Sequence, residues 1–78
     1  MQIKVILLKD GTYLIADVEE RETMPDCVLI NPKEIIEEQL HNWPEYTDQK
    51  QIFLRSEDIL TLVTPKDSFV KLYREVIG

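Results

Sequence analysis

The chain holds one cysteine, one histidine and no long apolar run in its 78 residues. With Cys27 alone, no internal disulfide is possible, and neither a CxxC pair nor a zinc ligand set exists. That pattern fits a reducing, cytoplasmic setting. His41 has no second histidine or any nearby cysteine, so it is not read as a metal ligand. The start lacks a charged segment followed by an apolar h-region, and no run approaches the roughly 20 residues of a membrane helix. No cofactor, catalytic group or membrane partner is expected. A nucleophile needs a base within reach, and Cys27 falls in an apolar run far from His41, while the acids show no catalytic spacing.

Positive charge is also scarce. Nine lysines and arginines face fifteen acids, a formal net charge of -6, which argues against a general nucleic-acid binder because non-specific affinity comes from cations displacing phosphate counterions. Residues 19–38 hold seven acids (Glu19, Glu20, Glu22, Asp26, Glu34, Glu37, Glu38) against Arg21 and Lys33, so that segment carries most of the imbalance. An acidic edge can still coexist with a local cationic site.

What is present is a strand pattern. Residues 2–9 and 12–19 alternate in polarity around Asp10-Gly11, a strong hairpin signal. The second strand puts Leu14, Ala16 and Val18 on one face and Tyr13, Ile15 and Asp17 on the other. After an acidic loop, residues 27–39 read as one long strand bent near Asn31-Pro32, where proline removes a ladder donor; a helix over 33–40 is the rival. Residues 40–48 form a loop with Trp43, Pro44 and Tyr46, and short strands at 51–55 and 59–63 flank Ser56-Glu57-Asp58. Thr64-Pro65 with Asp67 then predicts a helix over 65–77, its apolar stripe formed by Phe69, Leu72, Tyr73 and Val76. The fold class is therefore all-β, a strongly bent five-stranded antiparallel barrel (residues 2–63) with a C-terminal α-helix, in one domain spanning 1–78. So short a chain buries only about 60 to 65% of its unfolded surface, which favours self-association.

Leu8-Lys9-Asp10-Gly11, the run from Asp26 to Ile35 and the run Phe53-Leu54-Arg55-Ser56-Glu57-Asp58-Ile59 together resemble the two-part signature of the Sm/LSm family. The second part is the more specific: two apolar residues, leucine or isoleucine, arginine, glycine, two polar residues and an apolar one, with only Ser56 departing, at the glycine. In the first part Ala16 stands at the second glycine, Glu22 at the acidic position and Asp26 at the asparagine, and the helix lies at the opposite end of the chain from the family's. The chain is similar to a divergent Sm-like protein, of the kind carried by marine cyanobacterial phages, whose site would be the host cytoplasm.

The resemblance implies an SH3-like barrel whose outer strands pair between copies, closing a homo-oligomeric ring of five to seven around a pore that takes single-stranded RNA, or DNA. It places base stacking on Met24, base reading on Asp26 and base fixing on Arg55; Ser56, in the glycine's place beside Arg55, is counted with the nucleic-acid-binding residues and read as tolerating the turn. Only Arg55 keeps the family's residue type. An ionised aspartate accepts hydrogen bonds but donates none, so Asp26 cannot copy an asparagine. Arg55 is equally well read as the partner of Asp26 or Glu57 in an ion pair. Trp43 is read as pinning its loop to the barrel, with base stacking or peptide docking as the rival. The alternative overall function is an acidic protein-interaction ring that binds no nucleic acid.

Overall fold

The computed structural model describes residues 2–20 and 26–78, Asp26 as backbone only. Six strands, one 3-10 turn and one helix follow in order: β1 Ile3–Leu8, β2 Tyr13–Glu20, β3 Asp26–Ile36, β4 Gln39–Asn42, β5 Gln51–Arg55, the 3-10 turn Ser56–Asp58, β6 Ile59–Val63 and α1 Asp67–Ile77. All pairings are antiparallel. The sheet runs β4-β3-β2-β1-β6, and β5 shares the outer edge of β3 with β4.

The first hairpin closes as its turn chemistry requires. The Leu8 N–H donates to Thr12 O at 2.9 Å and the Gly11 N–H to Leu8 O at 3.0 Å, so three residues make the loop. Gly11 sits at φ 93°, a backbone region that a side chain penalises. Asp10 Oδ1 accepts from the Thr12 N–H at 2.9 Å, and that bond holds the Asp10 carboxyl below its ordinary acid range. A group with a lowered folded pKa stabilises above its unfolded value, about pH 4, and loses that contribution as pH falls through the folded value. Asp10→Ala is accordingly expected to lower the melting temperature slightly at neutral pH and to make no difference near pH 2, as paired thermal melts would show.

Alternation in β2 delivers Leu14, Ala16 and Val18 to the core, where they meet Ile6 and Leu8 of β1, Cys27 and Leu29 of β3 and Leu54 of β5. In β1 the core therefore takes the even positions, while Ile3, Val5 and Leu7 face the other way, half-buried. Ile15 and Val28, on the opposite face from this cluster by alternation, are also fully buried. Both faces of the central strands are thus covered.

The order of the strands forces the bend. In a flat sheet, four spacings of about 4.8 Å would separate β5 from β6 by roughly 19 Å. The three-residue turn Ser56–Asp58 joins them directly, and a 3-10 turn advances only about 2 Å per residue. The sheet must curl until its two outer strands approach, and the Lys9 N–H donating to Asp58 O at 3.0 Å ties the turn to the first hairpin. The curl stops short of closure: among the described residues β5 pairs only with β3 and β6 only with β1.

Three expectations are refined. β2 runs on through Glu20, where the strand was expected to end at residue 19, and Glu19 and Glu20 pair with Val28 and Cys27. The strand expected over 27–39 ends at Ile36, and Glu37 and Glu38, at φ 50° and 64°, turn the chain into β4, which pairs back along Lys33–Ile36. Positive φ at both positions of a two-residue hairpin turn matches the natural twist of the strands it joins. No helix forms over 33–40. Finally, α1 begins at Asp67, with Lys66 in the cap position and no side-chain cap, so neither Thr64 nor Pro65 opens it as expected. Along the helix Tyr73 is buried and Phe69, Leu72 and Ile77 are half-buried, while Val76 stays 45% exposed.

Tyr73 locks helix to sheet. Its hydroxyl accepts from the Asp17 N–H at 3.1 Å and donates toward Ile30 O at 2.9 Å and Asn31 O at 3.1 Å. These are backbone groups beside an irregularity of the β2–β3 ladder, where Asn31 and Pro32 together oppose Ala16. Asn31 adopts φ 51°, a conformation asparagine tolerates better than most residues. The bend in β3 and the seat of the helix are therefore one structural unit.

Candidate nucleic-acid interface

Arg55 ends β5 opposite Asp26, the first residue of β3. Its side chain is largely exposed, and Nη1 lies 3.5 Å from Glu57 Oε1, itself exposed. Of the two ion-pair partners expected from the sequence, Glu57 is the one found among the described residues. An exposed pair of this kind contributes about 0 to 1 kcal/mol, so Arg55 can exchange Glu57 for another acceptor at little cost. Its remaining guanidinium donors stay open to solvent, in the planar fork that suits a phosphate or a base edge.

Ser56 opens the 3-10 turn, exposed, and is not among the residues with positive φ. The turn therefore has no need of the glycine that the family pattern carries there. Glu57 and Asp58 complete the turn, so Arg55 sits beside two acids. Met24 lies outside the described residues. Asp26 is placed by its backbone alone, directly across the β3–β5 ladder from Arg55, so the structure brings these two candidate positions to one corner.

The other candidates lie away from it. Trp43, just past β4, packs against the core cluster, which supports the pinning reading for that loop. Tyr46 is fully exposed at φ 69°. Cys27 is buried in β3, and His41 is exposed on β4 opposite Glu34. Among the described residues no three histidine, cysteine or acidic side chains converge on a metal position, and no helix is long and apolar enough to cross a membrane.

A family model matches the chain from residue 1 to residue 78. The chain belongs to DUF6561, a family of unknown function. No curated protein matches this DUF6561 chain in sequence. Among solved structures it is similar to the crystal structure of a heptameric archaeal Sm protein, with a TM-score of 0.62 and 14% identity over 83% of this chain and 87% of that one. At that identity the likeness speaks for the fold. The DUF6561 chain has an Sm-like fold: a strongly bent antiparallel sheet, open between β5 and β6, with a helix at its C-terminal end.

The open edges are the second feature of the site. β5 exposes Phe53 by 62%, and β6 exposes Leu60 by 62% and Val63 by 46%. Apolar side chains on sheet edges are what soluble monomers usually avoid, because an unpaired edge invites another strand. Both strands, and their pairing between copies, are expected from the sequence, but not which of their side chains stay exposed. Which residues would remain outside depends on the curl, and that is visible only in the folded chain.

Proposed function

We propose that the protein assembles head to tail into a closed homo-oligomeric ring of five to seven copies. β5 of one copy pairs with β6 of the next, and the ring binds single-stranded nucleic acid, RNA ahead of DNA, at its pore. The observation that carries this reading is the juxtaposition of two open, apolar strand edges with the exposed Arg55 turn that connects them. A heterologous contact between two different edges either closes a ring or runs on as a filament, and closure leaves no edge exposed. The heptameric assembly of the structurally similar archaeal protein supports closure.

Symmetry would then repeat Arg55 once per copy around the pore. One weakly paired guanidinium per copy is enough to hold a phosphate or a base edge on each repeat of a strand. The role is binding without catalysis, since Cys27 and His41 lie roughly 20 Å apart along β3 and its neighbour strand. Arg55→Ala is expected to weaken binding of a fluorescent uridine-rich oligonucleotide by roughly tenfold or more at low salt. Light scattering on the same samples should show the assembly intact. Unchanged affinity in an intact ring would remove Arg55 from the site.

Glu57 and Asp58 beside Arg55, with Glu19 and Glu20 exposed at the end of β2, favour one other reading: an acidic ring that docks a cationic polypeptide. Salt separates the two. Nucleic-acid affinity should fall steeply with added salt, whereas a ring that ignores RNA at low salt and captures a basic peptide would follow the second reading.

A further inference from the structure

The bend in β3 opens a second site. β3 gives its outer edge to β5 over residues 26–30 and to β4 over residues 33–36. At the changeover Pro32 has no N–H, and the Asn31 N–H reaches Lys50 O at 2.8 Å, just before β5 begins. β4 and β5 diverge from this point, and the wedge between them is a cleft of about 390 Å³.

Trp43 and Pro44 give the cleft an apolar lining, and Lys33 of β3 and Lys50, just before β5, bring two cationic side chains to it. Lys33 Nζ donates to Asn42 Oδ1 at 2.6 Å. That bond fixes the ammonium, leaving its other two N–H groups and the Asn42 amide N–H groups available to a ligand. Asp48 is the one acid in the lining, so the cleft carries a net positive charge in a chain of net charge -6. Trp43 is half-buried: it packs against the core and still lines the cleft.

A planar π surface, amide donors and two lysines in one lining match the parts of a nucleotide. A base stacks on the indole and exchanges hydrogen bonds with amides and a carboxylate, and a phosphate takes the cations. We propose that this cleft binds a nucleoside 5′-phosphate unit, its base against Trp43 and its phosphate between Lys33 and Lys50. The lining comes from one protomer, so the site does not depend on ring formation. It lies at the Gln51 end of β5, four residues and roughly 13 Å from Arg55.

Trp43 is the only tryptophan in the chain, so its fluorescence reports on this cleft directly. Adenosine and uridine 5′-monophosphates are titrated into the full-length protein, with inorganic phosphate and a uridine-rich oligonucleotide in parallel. Saturable quenching by a monophosphate, weakened roughly tenfold by Lys50→Glu and kept by Lys71→Glu on the exposed side of α1, is the expected result. Quenching by the oligonucleotide alone, with the same sensitivity to Lys50→Glu, would assign the unit to a strand rather than to a free nucleotide. Absence of saturable quenching by either, quenching by phosphate alone, or quenching that Lys50→Glu leaves untouched would overturn the site. Both lysine changes are at exposed positions, and far-UV circular dichroism confirms that each variant is folded.

Discussion

Tyr73→Phe is expected to destabilise the protein by about 1 to 3 kcal/mol, although it removes a single oxygen atom. That hydroxyl serves the Asp17 N–H and the Ile30 and Asn31 carbonyls at once, where the ladder between β2 and β3 is broken. Without it, the Asp17 N–H and the two carbonyls that share its proton each lose a hydrogen bond beneath the helix. Tyr73→Ala, which also empties a fully buried ring site, should cost about 3 to 5 kcal/mol and take most of the stability of a chain this small. For a domain of this size each kcal/mol lowers the melting temperature by roughly 4 to 8 °C, well within the reach of calorimetry. A phenylalanine variant that melts with the wild type would mean that the helix is not anchored through this hydroxyl.

The same residue gives a pH dependence. Burial raises the Tyr73 pKa above its ordinary 10.0, the Asp17 N–H opposing this by favouring the phenolate. A raised folded pKa means that the contribution is complete below the unfolded value and is lost as pH rises through the folded one. Stability should therefore fall above about pH 10 in the wild type, and Tyr73→Phe should flatten that part of the curve.

Leu60→Glu is expected to convert the assembly to monomers. Leu60 is 62% exposed in the single chain, so the change leaves the fold intact. In the proposed ring it occupies the β6 edge that meets β5 of the next copy. Each interface would lose roughly 1 to 2 kcal/mol of apolar burial and would have to desolvate a carboxylate, and the ring carries the change at every junction. Sedimentation velocity at micromolar concentration should show one slow species with unchanged circular dichroism. An oligomer that survives Leu60→Glu would place the interface elsewhere.

The parts of this structure legible in the sequence are those that local chemistry dictates. Asp10-Gly11 announced its hairpin because the glycine supplies the positive φ that the turn needs. The alternation of Leu14, Ala16 and Val18 announced a core face, and Phe69, Leu72 and Tyr73 a helix. β4 was hidden because Glu37-Glu38 takes a turn conformation usually left to asparagine and glycine, so nothing in the residues marks the reversal. The helix start was misplaced by two residues because Thr64-Pro65-Lys66 carries cap chemistry that the structure does not use.

At the candidate site, Arg55 and its Glu57 partner lie within one short turn, and short-range partners can be read from sequence. The Asp26 and Arg55 positions come opposite each other only through the β3–β5 pairing, a long-range contact that local residue patterns do not mark. The cleft beside Trp43 was not legible at all. Its walls come from residues 31–33, 42–44 and 47–50, which meet because β3 changes partner at Asn31-Pro32.

The most direct test of the account is native mass spectrometry of the purified chain, alone and mixed with a short uridine-rich RNA at low salt. The account predicts one closed ring of defined copy number that takes up a single RNA. A monomer at every concentration would contradict it, because the apolar edges of β5 and β6 would then have no partner in solution.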